Sequence, residues 1–269
     1  MKKLRLAIPA ISVLAFACVL PAYPQSNPET PQTPPAATAT EPAAPALTDE
    51  QMARLMLVRK QYTEAEAIFR RLTHEQPKNA VYWNELGIAY QNQSELNSAL
   101  KCYEKSAKLD SHYADPQNNV GTIWYERKKY PKAIRAYKKA ILIKDDFAAF
   151  YLNLGFAYFG QQNYDDSIAS FRKALQIDPA AFDNSRARMG TVIQDRSLST
   201  DRGRFYFMLA KSFAEAGNVE RCVIYLKKAK DEGYKDYTAA KTDPSFAAVL
   251  KDPAIQEVLA SKPEETVQP

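Results

Sequence analysis

The sequence predicts an all-α protein, a solenoid of antiparallel helical hairpins that ends in a short helical C-terminal cap. Three observations carry this. Small and aromatic residues recur at a fixed interval of 34 residues, within each interval the apolar residues fall at helical spacing on two stretches, and the 269-residue chain has only 8 glycines. So few glycines leave little room for phosphate-cradling loops or a sheet-rich fold, while self-similarity at this period is the signature of a stacked repeat.

The columns run in register. Gly87, Gly121 and Gly155 lie 34 residues apart, as do Tyr62, Leu96, Tyr130 and Tyr164. Phe69, Tyr103, Tyr137 and Phe171 keep the interval, and so do Ala65, Ala99, Ala133 and Ser167. Tyr90, Trp124 and Tyr158 follow beside Leu86, Val120 and Leu154. In the first half of a unit Trp83, Leu86 and Tyr90 occupy one helix face at i, i+3 and i+7, and Leu96, Ala99 and Tyr103 repeat the pattern in the second half. The polar run Gln91-Asn92-Gln93-Ser94 separates the two, so the helices turn back on one another. Gly87 and Ala99 are small where the paired helices approach, and aromatics fill the space around them. Pro131 sits in the first turn of a second helix, where its missing N–H is not needed.

These residues resemble the tetratricopeptide repeat, whose units carry an aromatic, Leu-Gly, Tyr, Ala, an aromatic, Ala and Pro. Trp83, Leu86, Gly87, Tyr90, Ala99 and Tyr103 fit it, as do Tyr151, Leu154, Gly155, Tyr158, Phe171, Ala174 and Pro179. The resemblance covers 46–181 as four units, 46–79, 80–113, 114–147 and 148–181, with Ala53 in place of the first glycine and Ser106 in place of one alanine. It implies a right-handed superhelix. A fifth unit, 203–236, carries Tyr206, Leu209, Ala210, Phe213, Cys222, Leu226 and Ala229 in the same columns, but follows an inserted loop at 182–202. Such insertions map to one edge of a solenoid and often belong to a binding face. Asp243-Pro244 and Asp252-Pro253 each precede apolar residues as helix starts. Phe246, Leu250, Ile255 and Leu259 then close the exposed end as a helical cap over 237–263, with a disordered tail at 264–269.

Before the repeats, Lys2, Lys3 and Arg5 precede an apolar stretch from Leu6 to Leu20 and then Pro21 and Pro24. That stretch is short for a bilayer span and suits the core of a secretory signal peptide, taken as 1–22 with cleavage after Ala22. The expected location is exported, periplasmic or secreted, in a protein of bacterial type. Lipidation at Cys18, giving an anchored lipoprotein, is a second reading, against which Ala15 and Phe16 stand because the lipidation signal takes a large aliphatic residue three places before the cysteine. Residues 23–46 are rich in Pro, Ala, Thr and Gln, with almost nothing to bury, and read as a disordered tether. Thr48-Asp49-Glu50-Gln51 has the form of a capping box that opens the folded part. Cys102 and Cys222 are three repeats apart, too far to bridge, and read as buried small apolar residues.

Catalytic chemistry is not expected. His74 and His112 fall at polar junctions without further ligands at metal-binding spacing, and no nucleophile-elbow, Walker or dinucleotide glycine motif occurs. Neither cofactor nor metal is implied. Of the net charge of +5, three positive charges lie in the leader, so the mature chain is close to neutral and a nucleic-acid partner is not called for.

The resemblance implies instead a protein or peptide partner, held in the concave groove by non-framework residues of the first helices. Matching columns give Asn84, Ile88 and Gln91, then Asn118, Thr122 and Tyr125, then Leu152, Phe156 and Phe159, with Phe207 and Lys211 from the fifth unit. Asparagine amides suit a peptide backbone and phenylalanines suit apolar side chains. Asn84, Asn118 and Leu152 stand where a carboxylate clamp would need charge, so that specialisation is excluded. A basic run without an acid, Arg127 to Lys144, offers an alternative: a solvated convex face that contacts a membrane surface or another polyanion. Intact-mass measurement of the mature chain is expected to show loss of 1–22. A product retaining Met1 in the cytosolic fraction would remove the export reading, and a lipid adduct at Cys18 would replace cleavage after Ala22.

Overall fold

The computed structural model describes residues 47–182 and 201–260; the leader, Cys18, the tether, most of the inserted loop and the tail lie outside the described residues. The first hairpin pairs α1 (Asp49–Val58) with α2 (Tyr62–Glu75), and the second pairs α3 (Ala80–Asn92) with α4 (Leu96–Leu109). The third and fourth are α5 (Asp115–Glu126) with α6 (Tyr130–Ile143), and α7 (Ala148–Gly160) with α8 (Tyr164–Ile177). After the insertion come α9 (Arg202–Glu215) and α10 (Val219–Asp231). Every helix from α1 to α10 packs on its sequence neighbours, including α9 on α8. The first helices α3, α5 and α7 also touch one another, which makes them the tighter, inner layer of the stack. No strand occurs among the described residues. The fold is the all-α solenoid of hairpins that the periodicity predicts.

The column residues do what their sizes require. A β-carbon at Gly87 would lie 2.5 Å from Cε1 of Tyr103, and β-carbons at Gly121 and Gly155 would meet the rings of Tyr137 and Phe171 in the same way. All three rings are fully buried. Ser106 and Ser167, which depart from alanine, bond to backbone carbonyls: Ser106 Oγ donates to Ala80 O at 2.6 Å and Ser167 Oγ to Gly155 O at 2.8 Å. At the start of α1 the Thr48 hydroxyl accepts from Gln51 N (3.2 Å) while Gln51 Oε1 accepts from Thr48 N (2.9 Å), the predicted capping box. Cys102 and Cys222 are free and buried, and burial pushes both thiols up to about 12.

The turns differ from the sequence expectation. Gln91 and Asn92 still belong to α3, and Gln93 is not simply solvated: its Nε2 donates to Glu66 Oε2 (2.8 Å) and its Oε1 accepts from the Thr63 hydroxyl (3.1 Å), fastening this turn to α2. Each turn places one residue in the left-handed region: Lys60, Ser94, Lys128 and Gln162 at φ 62°, 66°, 56° and 65°, and Gly217 at 70°. The first four recur at the 34-residue interval, yet only the fifth is a glycine. In the second hairpin this geometry lets Ser94 N donate to Gln91 O and Glu95 N to Tyr90 O, both at 2.9 Å, closing the orphan carbonyls of α3.

At the C-terminal end Asp243 caps only a 3-10 turn, Pro244–Phe246, which follows another at Lys235–Lys241, while Asp252 opens α11 (Pro253–Ala260). Phe246, Ile255, Val258 and Leu259 are buried, and Phe246 stacks on Phe207 with ring centres 5.7 Å apart.

Gly121→Leu is expected to destabilise the chain by about 1–3 kcal/mol or more through overpacking against Tyr137. Ser94→Gly is expected to raise stability by less than about 1 kcal/mol, because relief of the left-handed backbone is partly offset by unfolded-state entropy. Thermal melts compare them: a leucine at 121 without penalty would mean that the ring contact does not set the hairpin.

Candidate functional site

The inner layer is built around a chain of buried asparagines. Asn153 Nδ2 of α7 donates to Asn118 Oδ1 of α5 (2.8 Å), Asn118 Nδ2 to Asn119 Oδ1 (3.3 Å), Asn119 Nδ2 to Asn84 Oδ1 of α3 (3.0 Å), and Asn84 Nδ2 to the Tyr113 hydroxyl (3.1 Å). Tyr113 in turn bonds the Asp115 carboxylate. Asn118, Asn119 and Asn84 each accept at Oδ1 while donating from Nδ2, so each bond polarises the next and the chain ends on an anion, the arrangement that strengthens such networks.

The cross-hairpin rungs join residues 35 apart. The same interval separates Glu50 from Glu85, where Arg54 stands between two acids, 3.1 Å from Glu50 and 3.9 Å from Glu85. In the last hairpins the equivalent positions, allowing for the insertion, hold Leu152 and Met208, both buried. One structural position is therefore charged, then amide, then apolar along the stack.

This reassigns the contact residues that the resemblance implied. Asn84 and Asn118 spend their amides on neighbouring side chains and are 2% and 3% exposed, which leaves them unable to read a peptide backbone. Gln91 donates to Glu126 (2.7 Å) and accepts from the Tyr103 hydroxyl (2.8 Å). Thr122 donates to Asn118 O (3.3 Å) and accepts from Tyr137 (3.4 Å), and Tyr125 packs edge-on against Tyr130. Leu152 is buried. Phe156 and Phe159 lie 5.6 and 5.4 Å from Phe205 of α9, so they join the fourth hairpin to the fifth. Phe207 is buried against Tyr234 and Phe246, and Lys211 pairs with Asp243 at 2.8 Å, tying α9 to the cap. Ile88 remains half-buried against the Ala99–Tyr103 core.

What stays reachable on this layer is carboxylate. Glu85 adjoins Asn84 on α3, Asp115 lies one turn before Asn118 and Asn119 on α5, and Glu126 follows Asn119 by seven residues on the same face. Asp115 and Glu126 are solvent-exposed and Glu85 is half-buried. Desolvation nevertheless raises all three from their ordinary values, against the opposing pull of Arg54 on Glu85, of Lys144 and Tyr113 on Asp115, and of Gln91 and Arg127 on Glu126. Reachable but poorly hydrated charge is the condition in which a bound donor or cation gains most. The signal for the ladder was present in the sequence, since Glu85, Asn119 and Asn153 form a column of their own at the 34-residue interval.

On the outer layer Lys128, Lys129, Lys132, Arg135, Lys138, Lys139 and Lys144 are exposed, and Arg127 lies half-buried over the Trp124 ring at 5.3 Å. His74 and His112 are exposed. Among the described residues no group of three or more His, Cys, Asp or Glu is placed to hold a metal, and no helix is long and apolar enough to cross a membrane.

Residues 80–113 and 148–180 each match the tetratricopeptide repeat family, and 121–162 match a further TPR repeat family. A comparison with curated proteins returns no match. Among solved structures, the chain is similar to MamA at 20% identity, with 66% of this chain and 92% of that one covered and a TM-score of 0.47. MamA 41-end from Desulfovibrio magneticus RS-1 aligns at 16% identity over 67% and 90% of the chains, with a TM-score of 0.48. The first TPR of Spaghetti (RPAP3), bound to an HSP90 peptide, aligns at 22% over 38% and 80%, with a TM-score of 0.37.

A double-mutant cycle over Asn118→Leu and Asn153→Leu tests the ladder. Asn118→Leu removes one partner from each of Asn119 and Asn153 and is expected to cost about 1–3 kcal/mol. The pair is expected to cost less than the sum, with a coupling of about 1 kcal/mol. Strict additivity would show that the two amides act independently.

Proposed function

Because residues 80–113 and 121–180 carry tetratricopeptide repeats, the chain is a tetratricopeptide repeat protein, and we propose that it serves as a non-catalytic adaptor of the cell envelope that holds a partner polypeptide along the inner layer of first helices. A repeat array of this kind is a protein–protein interaction scaffold. The observation that carries the finer reading is the set of three desolvated yet reachable carboxylates, Glu85, Asp115 and Glu126, fixed beside a self-satisfied amide ladder. Rigid helices hold them at set spacing without needing the partner to organise them, so little ordering cost falls on binding. The partner chemistry that fits is a segment rich in cationic or N–H donor groups. Its donors would add to the hydrogen bond that Gln91 gives Glu126 and to the ion pair that Arg54 makes with Glu85. The placement outside the cytoplasm rests on the basic start and apolar core of 1–22, and attachment through Cys18 is the variant of that placement.

Glu85→Gln combined with Glu126→Gln separates a binding role from a structural one. Both carboxylates have folded-state values raised by desolvation, so their charge costs stability as pH rises through those values. The double variant is expected to melt above the wild type at pH 7, with the gap closing below the ordinary 4.5, where the wild-type carboxyls are protonated too. Affinity capture from the source envelope extract is expected to lose the polypeptides that the wild type retains. Unchanged capture by a well-folded double variant would move the partner off the inner layer.

A further inference from the structure

On the opposite side of the stack a cleft of about 460 Å³ opens between the second helices α4 and α6, floored by α5. Lys132, Arg135 and Lys139 line one wall and recur at i, i+3 and i+7, one face of α6. Lys108 and Glu104 stand on the α4 wall, and Trp124 with Val120 forms the floor. Lys132 Nζ lies 4.3 Å from the centre of the Trp124 ring. All four cations are exposed, and none of them makes an ion pair among the described residues. Elsewhere the described surface pairs its arginines readily, as Arg54, Arg71, Arg172, Arg202 and Arg204 show.

We propose that this cleft is a second docking site, separate from the inner layer, and that it takes an acidic peptide segment of a partner protein. Four unneutralised cations converging on one trough supply the charge complementarity, and the planar fork of Arg135 suits a carboxylate. The three α6 cations span about 10 Å along the helix, the length of about three residues of extended chain, so carboxylates one or two residues apart meet successive cations. The Trp124 floor seats an aliphatic or aromatic side chain between them, which a free inorganic anion does not have. Glu104 opposes a purely anionic occupant but accepts a peptide N–H. A recessed trough with one acidic wall residue thus favours a peptide over the planar headgroup layer of a membrane. The volume lies within the range of about 300–1,000 Å³ of sites that enclose a ligand.

The probe is a fluorescein-labelled, end-blocked peptide Glu-Glu-Leu-Phe-Glu-Glu, titrated with the full chain and read by anisotropy, beside the same peptide with Gln for every Glu and mixed phosphatidylcholine–phosphatidylserine vesicles. The acidic peptide is expected to bind, and the Gln peptide to bind far more weakly. Arg135→Glu combined with Lys139→Glu, both on exposed positions, is expected to keep the wild-type melt and to weaken acidic-peptide binding by about ten-fold or more. Lys227→Glu combined with Lys235→Glu, which reverses as much charge away from the cleft, is expected to change it by no more than about two-fold. The proposal is overturned if the acidic peptide fails to bind, if the two charge-reversed variants weaken it alike, if the Gln peptide binds equally, or if only the vesicles respond to Arg135 and Lys139.

Discussion

The stack depends on one contact, a small residue of a first helix against a ring of its own second helix, glycine in the three middle hairpins and Ala53 in the first. With no β-carbon at Gly87, Gly121 and Gly155, the rings of Tyr103, Tyr137 and Phe171 lie directly on the helix backbone and leave the solvent entirely. That separation sets the reach of the turn. A tight connection with one left-handed residue then follows in every hairpin, even where the chain supplies Lys60, Ser94, Lys128 or Gln162 rather than glycine. The strain of the turn is tolerated because the ring contact fixes where the second helix must start. In the fifth hairpin the contact is altered rather than lost. Ala210 holds the glycine column, the smaller and non-aromatic Leu226 holds the ring column, and the close approach moves to the start of α9, where a β-carbon on Gly203 would lie 2.7 Å from Cβ of Tyr234.

Hairpins built this way still need something to hold them to one another, and the chain uses three chemistries for the same purpose. At the first junction Arg54 lies between Glu50 and Glu85, at the next two asparagine amides cross from helix to helix, and at the last the equivalent positions are apolar. The consequence is visible in the core. Toward the N-terminus the buried apolar residues form smaller separate clusters, one of which reaches Ala140 of α6 and Phe150 of α7, whereas from α8 onward all of them belong to one continuous core that includes Phe156, Phe171, Phe205 and Phe213. Phe182, the first residue of the insertion, packs on both Phe171 and Phe213. The inserted segment therefore leaves from and returns to an aromatic seam, and α9 takes the place on α8 that an uninterrupted repeat would occupy.

The fold was legible in the sequence because its determinants are size requirements. A glycine or a ring in a column leaves the same mark in every unit, and six columns in register fix helix pairing without any knowledge of contacts. The site was much less legible, because the roles of Asn84, Asn118, Phe156 and Phe159 depend on what the next hairpin presents. An amide column reads as a peptide-binding surface until its partner one residue out of register, Asn119 or Asn153, is recognised as belonging to the following unit. Phe156 and Phe159 read as a groove lining because the insertion hides that Phe205 arrives against them. The turn conformation left no mark at all, since four of its five residues carry side chains that do not favour it.

The inner and outer layers are coupled as well as opposite in sign. Along the amide chain Asn118, Asn119 and Asn84 each accept from one neighbour and donate to the next in one continuous sense, so the negative pole of the ladder falls at Asp115, beside Glu85. Burial there disfavours the ionised carboxylate, and the largest opposing influence is Lys144, the final cation of the basic run. The lysine reaches that position because α6 ends at Ile143 and the chain then bends past Phe147, over which the Lys144 ammonium lies at 5.0 Å. The cation that closes the outer basic run therefore also helps to keep an inner acid charged. A protein without Lys144 would hold Asp115 closer to neutrality, and the negative end of the ladder would weaken with it. The charge of Asp115 on one layer is in this sense maintained by Lys144 of the other, and both belong to the unit 114–147.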